Sequence, residues 1–230
     1  MTIVRRAFLV MLALSLVAPA AAKAPVRPAP ARDWSKSFAV SGAGGFVMGN
    51  PKAKMKVVEY GSLTCPHCRH FAQDAVRKFV TQYVRTGRAS YEFRPMVLNS
   101  TDLAATLVAR CAGPSRFFPI MERLYATQPV WTARTEAITD AEFAAIPENR
   151  IALRMAEKAQ LFGLARSAGI PDARARACLT SDAAQTRIVE LYQAAMDAGV
   201  KGTPTFFLNG KQVPVWDWNS LKQELGKAGV

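Results

Sequence analysis

Val57-Val58-Glu59-Tyr60-Gly61-Ser62-Leu63-Thr64-Cys65-Pro66-His67-Cys68 is the stretch on which the fold of this chain turns. Residues 54–60, with Val57 and Val58 among short alternating positions and Gly61-Ser62 at the end, predict a short buried strand. Beyond the cysteines, Phe71, Ala72, Ala75, Val76, Phe79, Val80, Tyr83 and Val84 recur at spacings of three and four. That is the stripe of an amphipathic helix, ending near Gly87. Pro66 falls in its first turn, where the missing N–H costs nothing. Cys65 therefore stands where a strand hands over to a helix, and there backbone N–H groups and the helix dipole stabilise a thiolate. Cys65 is the expected exposed nucleophile. Cys68, one turn further, is the expected buried resolving thiol, and His67 between them offers a donor or a positive charge.

Half of a zinc site would need more ligands, yet Cys111 and Cys178 form no second CxxC and His70 brings the count only to three. Metal binding by Cys65, Cys68 and His70 stays open as the lesser reading, and no metal is expected. Attachment of a c-type haem requires histidine after the second cysteine, where this chain has Arg69. A purely structural bridge between such near neighbours would close too small a loop to stabilise much. No cofactor is expected.

Residues 89–98, with Tyr91, Phe93, Met96 and Val97, suggest a second strand, which Pro95 weakens or makes an edge. Residues 100–199 are Ala-rich and helical in pattern, broken at Gly113-Pro114, Gln128-Pro129, Pro147, Gly169 and Pro171 into short helices. Thr139 and Glu142 have capping-box spacing, and Ser181-Asp182 opens another periodic run. Strand character returns over 205–213, where Asn209-Gly210 signals a hairpin, and 217–227 close as a helix. Gly202-Thr203-Pro204-Thr205 precedes that hairpin. A proline there can hold a cis bond, although Thr203-Pro204 alone reads as an ordinary turn.

Arg5 and Arg6 precede an apolar run over residues 7–17, and Ala20, Ala21 and Ala22 supply a cleavage site, which is the pattern of an export signal. The run is shorter than the ~20 residues a membrane-spanning helix needs, so stable membrane insertion is not expected. Without residues 1–22, roughly 208 remain, enough to bury a core without a partner subunit, and a monomer is expected. The formal net charge is +13. Lys and Arg are scattered over helix surfaces with no dense run or aromatic ladder, a pattern that points to a solvated positive face and not to nucleic acid. Residues 23–45, rich in Ala, Pro, Gly and basic residues, read as a flexible arm.

Taken together these motifs resemble the DsbA-like branch of the thioredoxin superfamily, the exported bacterial dithiol oxidases. Gly49-Asn50-Pro51-Lys52-Ala53 followed by Val57-Val58-Glu59-Tyr60 looks like that branch's lead-in. Cys65-Pro66-His67-Cys68 carries its Pro-His dipeptide, and Val200-Lys201-Gly202-Thr203-Pro204 is similar to its cis-proline loop. The resemblance covers 45–230. It implies an α/β, thioredoxin-like fold over 46–99 and 200–230 with an inserted helical domain over 100–199. It also implies that Thr203 and cis-Pro204 face the Cys65 sulfur and offer backbone groups to an extended substrate segment, and that Glu59 matches a buried carboxylate used in proton transfer near the resolving thiol. The bland reading of Glu59 is a strand-edge charge in water. The implied activity is oxidation of reduced exported proteins in the periplasm, with re-oxidation by an inner-membrane quinone-linked thiol oxidase. A periplasmic reductase or isomerase is the alternative. Gly61-Ser62-Leu63-Thr64 departs from the Asp or aromatic run that often precedes the family's motif.

Cys111 and Cys178 lie 67 residues apart, near the end of the first inserted helix and just before Ser181. A structural disulfide between them is predicted, with two buried free thiols as the alternative. Phe117, Phe118, Trp131, Trp216 and Trp218 read as core or rim packing.

Overall fold

The computed structural model describes residues 32–230. The expected export signal and the first part of the expected arm lie outside the described residues. Six strands form one mixed sheet in the order β1-β2-β4-β3-β5-β6: β1 Phe38–Val40, β2 Phe46–Gly49, β3 Met55–Gly61, β4 Ala89–Pro95, β5 Thr205–Leu208 and β6 Lys211–Val213. β3 is central, parallel to β4 and antiparallel to β5. The parallel pair requires a crossover, which α1 over 66–84 supplies. Its buried stripe is Cys68, Phe71, Ala75, Phe79, Tyr83 and Val84, and Ala72–Val76 and Val80–Val84 are π-helical.

The inserted segment carries α2 Ser100–Cys111, α3 Pro114–Ala126, α4 Gln128–Glu136, α5 Asp140–Ala144, α6 Ile151–Lys158, α7 Leu161–Ser167, α8 Asp172–Leu179 and α9 Asp182–Asp197. Helix α10, Trp218–Lys227, closes the chain. Thr139 and Glu142 do form a capping box on α5, and Ser181 caps α9 by accepting from the Ala184 N–H. Asn209 and Gly210 both take positive φ, 48° and 84°, in the β5–β6 turn, a conformation the Asn-Gly pair tolerates best. Cys111 and Cys178 are joined, S–S 2.02 Å, which ties the end of α2 to α8.

The structure corrects two expectations, the flexible arm over 32–45 and the edge strand over 89–98. Residues 32–45 are not a flexible arm. The Trp34 N–H donates to Arg85 O at 3.1 Å, β1 pairs with β2, and the Phe38 ring lies 6.2 Å from that of Phe118. The glycines that look like linker instead turn the chain between β1 and β2, where the Ser41 N–H donates to Gly45 O at 2.9 Å. Strand β4 is not an edge: it lies between β2 and β3, and Pro95 sits harmlessly as its last residue. The insertion does not build a separate core. Phe46 of the sheet stacks on Phe117 of α3 with centroids 4.0 Å apart, Tyr91 meets Phe118 at 5.6 Å, and sheet and insertion share one continuous apolar cluster. Trp131 is buried with Phe117 and Phe118, whereas Trp216 is 63% exposed.

Candidate active site

Cys65 is the N-cap residue of α1, with extended backbone (φ −74°, ψ 123°) and Pro66 following in the first turn. Both Cys65 and Cys68 are free thiols. The Cys65 S–H donates to the carbonyl oxygen of Thr203 at 3.2 Å, and the Thr203-Pro204 bond is cis. The sequence pattern led to an exposed nucleophile, but Cys65 is only 6% exposed, because the Thr203 carbonyl sits against its sulfur.

The Cys65 thiol is lowered from 9.0 to about 5, chiefly because the Cys68 thiol donates to it. Burial opposes this. The Thr203 side chain, whose buried hydroxyl has no hydrogen-bond partner among the described residues, adds to the lowering, as do the backbone N–H groups of Cys68 and His67. The His67 side chain is exposed, so its contribution comes through its amide. Cys68 is fully buried, and burial, the Cys65 thiolate and Glu59 hold its thiol well above the usual range. The two sulfurs are thus driven in opposite directions: one is ionised at neutral pH, the other stays protonated.

Glu59 lies on central β3, opposite Phe93 of β4 and Phe206 of β5, and is 1% exposed, so the strand-edge alternative fails. The Tyr91 hydroxyl donates to its Oε2 at 2.5 Å. Burial nevertheless pushes its carboxyl up to about 8. Gly61 makes this packing possible: a Cβ there would collide with the Phe93 ring and stand 3.0 Å from Glu59 Oε1.

Three residues of the insertion, none singled out by the sequence pattern, hold the loop that delivers Cys65. Asp102 Oδ1 accepts from the Leu63 N–H at 2.9 Å and its Oδ2 from the Leu98 N–H at 3.0 Å. The Tyr125 hydroxyl donates to Ser62 O at 3.0 Å. Gln128 Nε2 donates to Leu63 O at 2.8 Å and to Cys65 O at 3.0 Å. All three are buried, and Asp102 is pushed by burial up to about 6. A buried loop must pair its peptide groups, and here the insertion supplies the partners. Asp102 follows the N-cap Asn99 at the spacing of an ordinary first-turn acid, and Gln128-Pro129 reads as a helix break, so nothing in the local pattern marks their inward role.

Cys65, Cys68 and His70 are not gathered into a metal site, and no cluster of three His, Cys, Asp or Glu side chains able to hold an ion occurs among the described residues. No helix among them is long and apolar enough to cross a membrane.

Among solved structures, a protein-disulfide isomerase from Novosphingobium aromaticivorans is similar over 80% of this chain and 97% of its own, with TM-score 0.74 and 26% identity. Wolbachia pipientis alpha-DsbA1 matches 79% of this chain and 88% of its own, with TM-score 0.64 and 19% identity, a likeness of fold. A Rickettsia prowazekii protein whose name assigns it provisionally to the protein-disulfide oxidoreductases is 28% identical over 187 residues, 79% of this chain. The chain spans about 60% of that relative's length and 59% of a Rickettsia felis relative's. Residues 42–228 match the family model described as Thioredoxin, and with the cis-Pro204 loop facing Cys65 at the head of α1, the chain belongs to the thioredoxin family.

Proposed function

We propose that this protein is a disulfide oxidoreductase that passes the Cys65–Cys68 disulfide to reduced polypeptides. The observation that carries the reading is the opposed tuning of two sulfurs three residues apart, Cys65 lowered to about 5 and Cys68 raised. A substrate thiolate attacks Cys65 Sγ of the oxidised protein. A substrate–Cys65 bond forms, the Cys65–Cys68 bond breaks, and the electron pair leaves on Cys68 Sγ. Cys68 lies in a site that disfavours its charge, and the Glu59 carboxyl, protonated up to about 8, can donate a proton to it. A second substrate thiolate then attacks the substrate sulfur of the mixed disulfide, and Cys65 leaves as its stabilised thiolate. The substrate emerges with a disulfide, and the protein is reduced by two electrons.

Thr203 and cis-Pro204 would pair with the extended substrate segment by strand addition at short range. Export to the periplasm is supported by Arg5, Arg6 and the apolar run over 7–17. There the reduced protein would be re-oxidised by an inner-membrane quinone-linked thiol oxidase. The isomerase name of the Novosphingobium relative keeps a reductase or isomerase role as the second reading. Thiol trapping tests the exchange chemistry. Cys68→Ser should accumulate mixed disulfides with reduced polypeptides and Cys65→Ser should form none; turnover by Cys65→Ser would refute the assignment.

A further inference from the structure

A polar cleft of about 500 Å³ opens beside Cys65, between the head of α1 and the insertion. Thr64, Pro66 and Arg69 form one wall. Asn99 and Thr101 of the α2 end and Gln128, Pro129, Thr132, Thr135 and Glu136 of α4 form the other. Arg69 is the one cation among these lining residues. Its Nε is buried and has no hydrogen-bond partner among the described residues. A buried donor left unpaired is costly, and native structures rarely leave one without a reason. The opposite wall does not answer it. Asn99 Nδ2 donates to Thr64 Oγ1, Thr101 Oγ1 to Thr135 Oγ1, Thr132 Oγ1 to Gln128 O, and Thr135 Oγ1 to Thr132 O. None of these groups, nor the exposed Glu136 carboxylate, accepts from Arg69 Nε.

From this arrangement we infer that the cleft is a substrate subsite in which Arg69 receives a carboxylate two residues from the cysteine being oxidised. The inference rests on the disulfide-exchange reading above. Arg69 follows Cys65 by four residues, and its N–H donates to Cys65 O at 3.1 Å, so the two lie on one face of the helix about one turn, ~6 Å, apart. In an extended segment, side chains at i and i±2 point to the same side and stand ~7 Å apart. A segment whose cysteine meets Cys65 therefore presents its next same-side residue to Arg69. An Asp or Glu carboxylate there accepts from the two terminal guanidinium nitrogens of Arg69, the paired geometry that arginine favours. The cleft admits one such side chain and its backbone, not a folded domain.

The full oxidised chain is mixed with unstructured peptides carrying one cysteine and either Asp, Asn or Lys two residues before or after it. Loss of the Cys65–Cys68 disulfide is followed in a single turnover. The expected result is that, on at least one side of the cysteine, Asp reacts about ten-fold faster than Lys, the size of one charge-assisted hydrogen bond. Arg69→Gln should bring that ratio near one, and Arg69→Glu should invert it. Because the chain carries a formal net charge of +13, general attraction must be separated from the cleft. Lys222→Gln, which removes one exposed charge from α10, should keep the parental ratio. Equal rates for all peptides, or a ratio that Arg69→Gln and Lys222→Gln change alike, would overturn the inference and leave the exchange reading standing. Failure of every peptide to react would overturn both.

Discussion

The Cys65 sulfur lies 3.2 Å from the carbonyl oxygen of Thr203, a residue 138 positions further along the chain. This contact joins the two halves of the thioredoxin-like part across the whole insertion. On one side the head of α1 supplies amides and the Cys68 thiol, and on the other the Thr203 hydroxyl adds to them, so the sulfur is stabilised as a thiolate from both directions.

That stabilisation has a pH signature. Cys65 titrates at about 5 in the folded reduced protein against 9.0 ordinarily, so its contribution to stability is full above pH 9 and is lost as pH falls toward 5. Glu59 runs the other way: raised from 4.5 to about 8, it favours the folded state below pH 4.5 and loses that contribution as pH rises through 8. The oxidised protein retains Glu59 but has no Cys65 thiol to titrate. Denaturant unfolding of both forms between pH 5 and 8 should therefore show the reduced form gaining on the oxidised form, by up to about 1.4 kcal/mol per pH unit. Parallel curves would contradict the assignment of the thiolate.

The loop clamp predicts a second outcome. In Asp102→Asn the amide NH2 must face either the Leu63 or the Leu98 N–H, both of which now donate to the carboxylate. A loss of roughly 1–3 kcal/mol in unfolding free energy is expected. The Cys65 thiolate absorbance should also titrate at a shifted pH, since Leu63 lies two residues before it. Unchanged stability and an unchanged titration together would show that the clamp does not hold the loop.

Much of this site is legible in the sequence, for physical reasons that differ by residue. Cys65, Pro66 and Cys68 announce themselves because a strand–helix junction leaves a local pattern, and the Asn209-Gly210 turn does so because few residue pairs take positive φ. Burial of Glu59 depends on β3 being central, which is set by pairing with β4 and β5 and has no local signal. Strands β1 and β2 are short and flanked by glycines, so their composition resembles linker until Phe38 and Phe46 find Phe118 and Phe117. The hold of Asp102, Tyr125 and Gln128 on the Cys65 loop is visible only once the insertion is folded against it, because each reaches a peptide group of residues 62–65 at least 39 residues away.

The Cys111–Cys178 bridge predicts a stability effect separable from chemistry. It closes a loop of 67 residues, and the chain-entropy account gives it roughly 4 kcal/mol. Cys111→Ser/Cys178→Ser should unfold at lower denaturant by about that amount. Disulfide exchange at Cys65 per folded molecule should persist. A double variant as stable as the parent would show that the bridge contributes nothing.

The central claim, that Cys65 and Cys68 form an oxidising couple, is tested most directly by equilibrating the protein with glutathione and measuring the potential of that pair. At pH 7 a thiol titrating at about 5 gains roughly 2.7 kcal/mol over one at 9.0, about 60 mV for a two-electron couple. The predicted result is a potential well above thioredoxin's value of about −270 mV and toward the value of about −120 mV known for DsbA. A potential at or below about −270 mV would contradict the oxidase reading and assign the pair to a reductase.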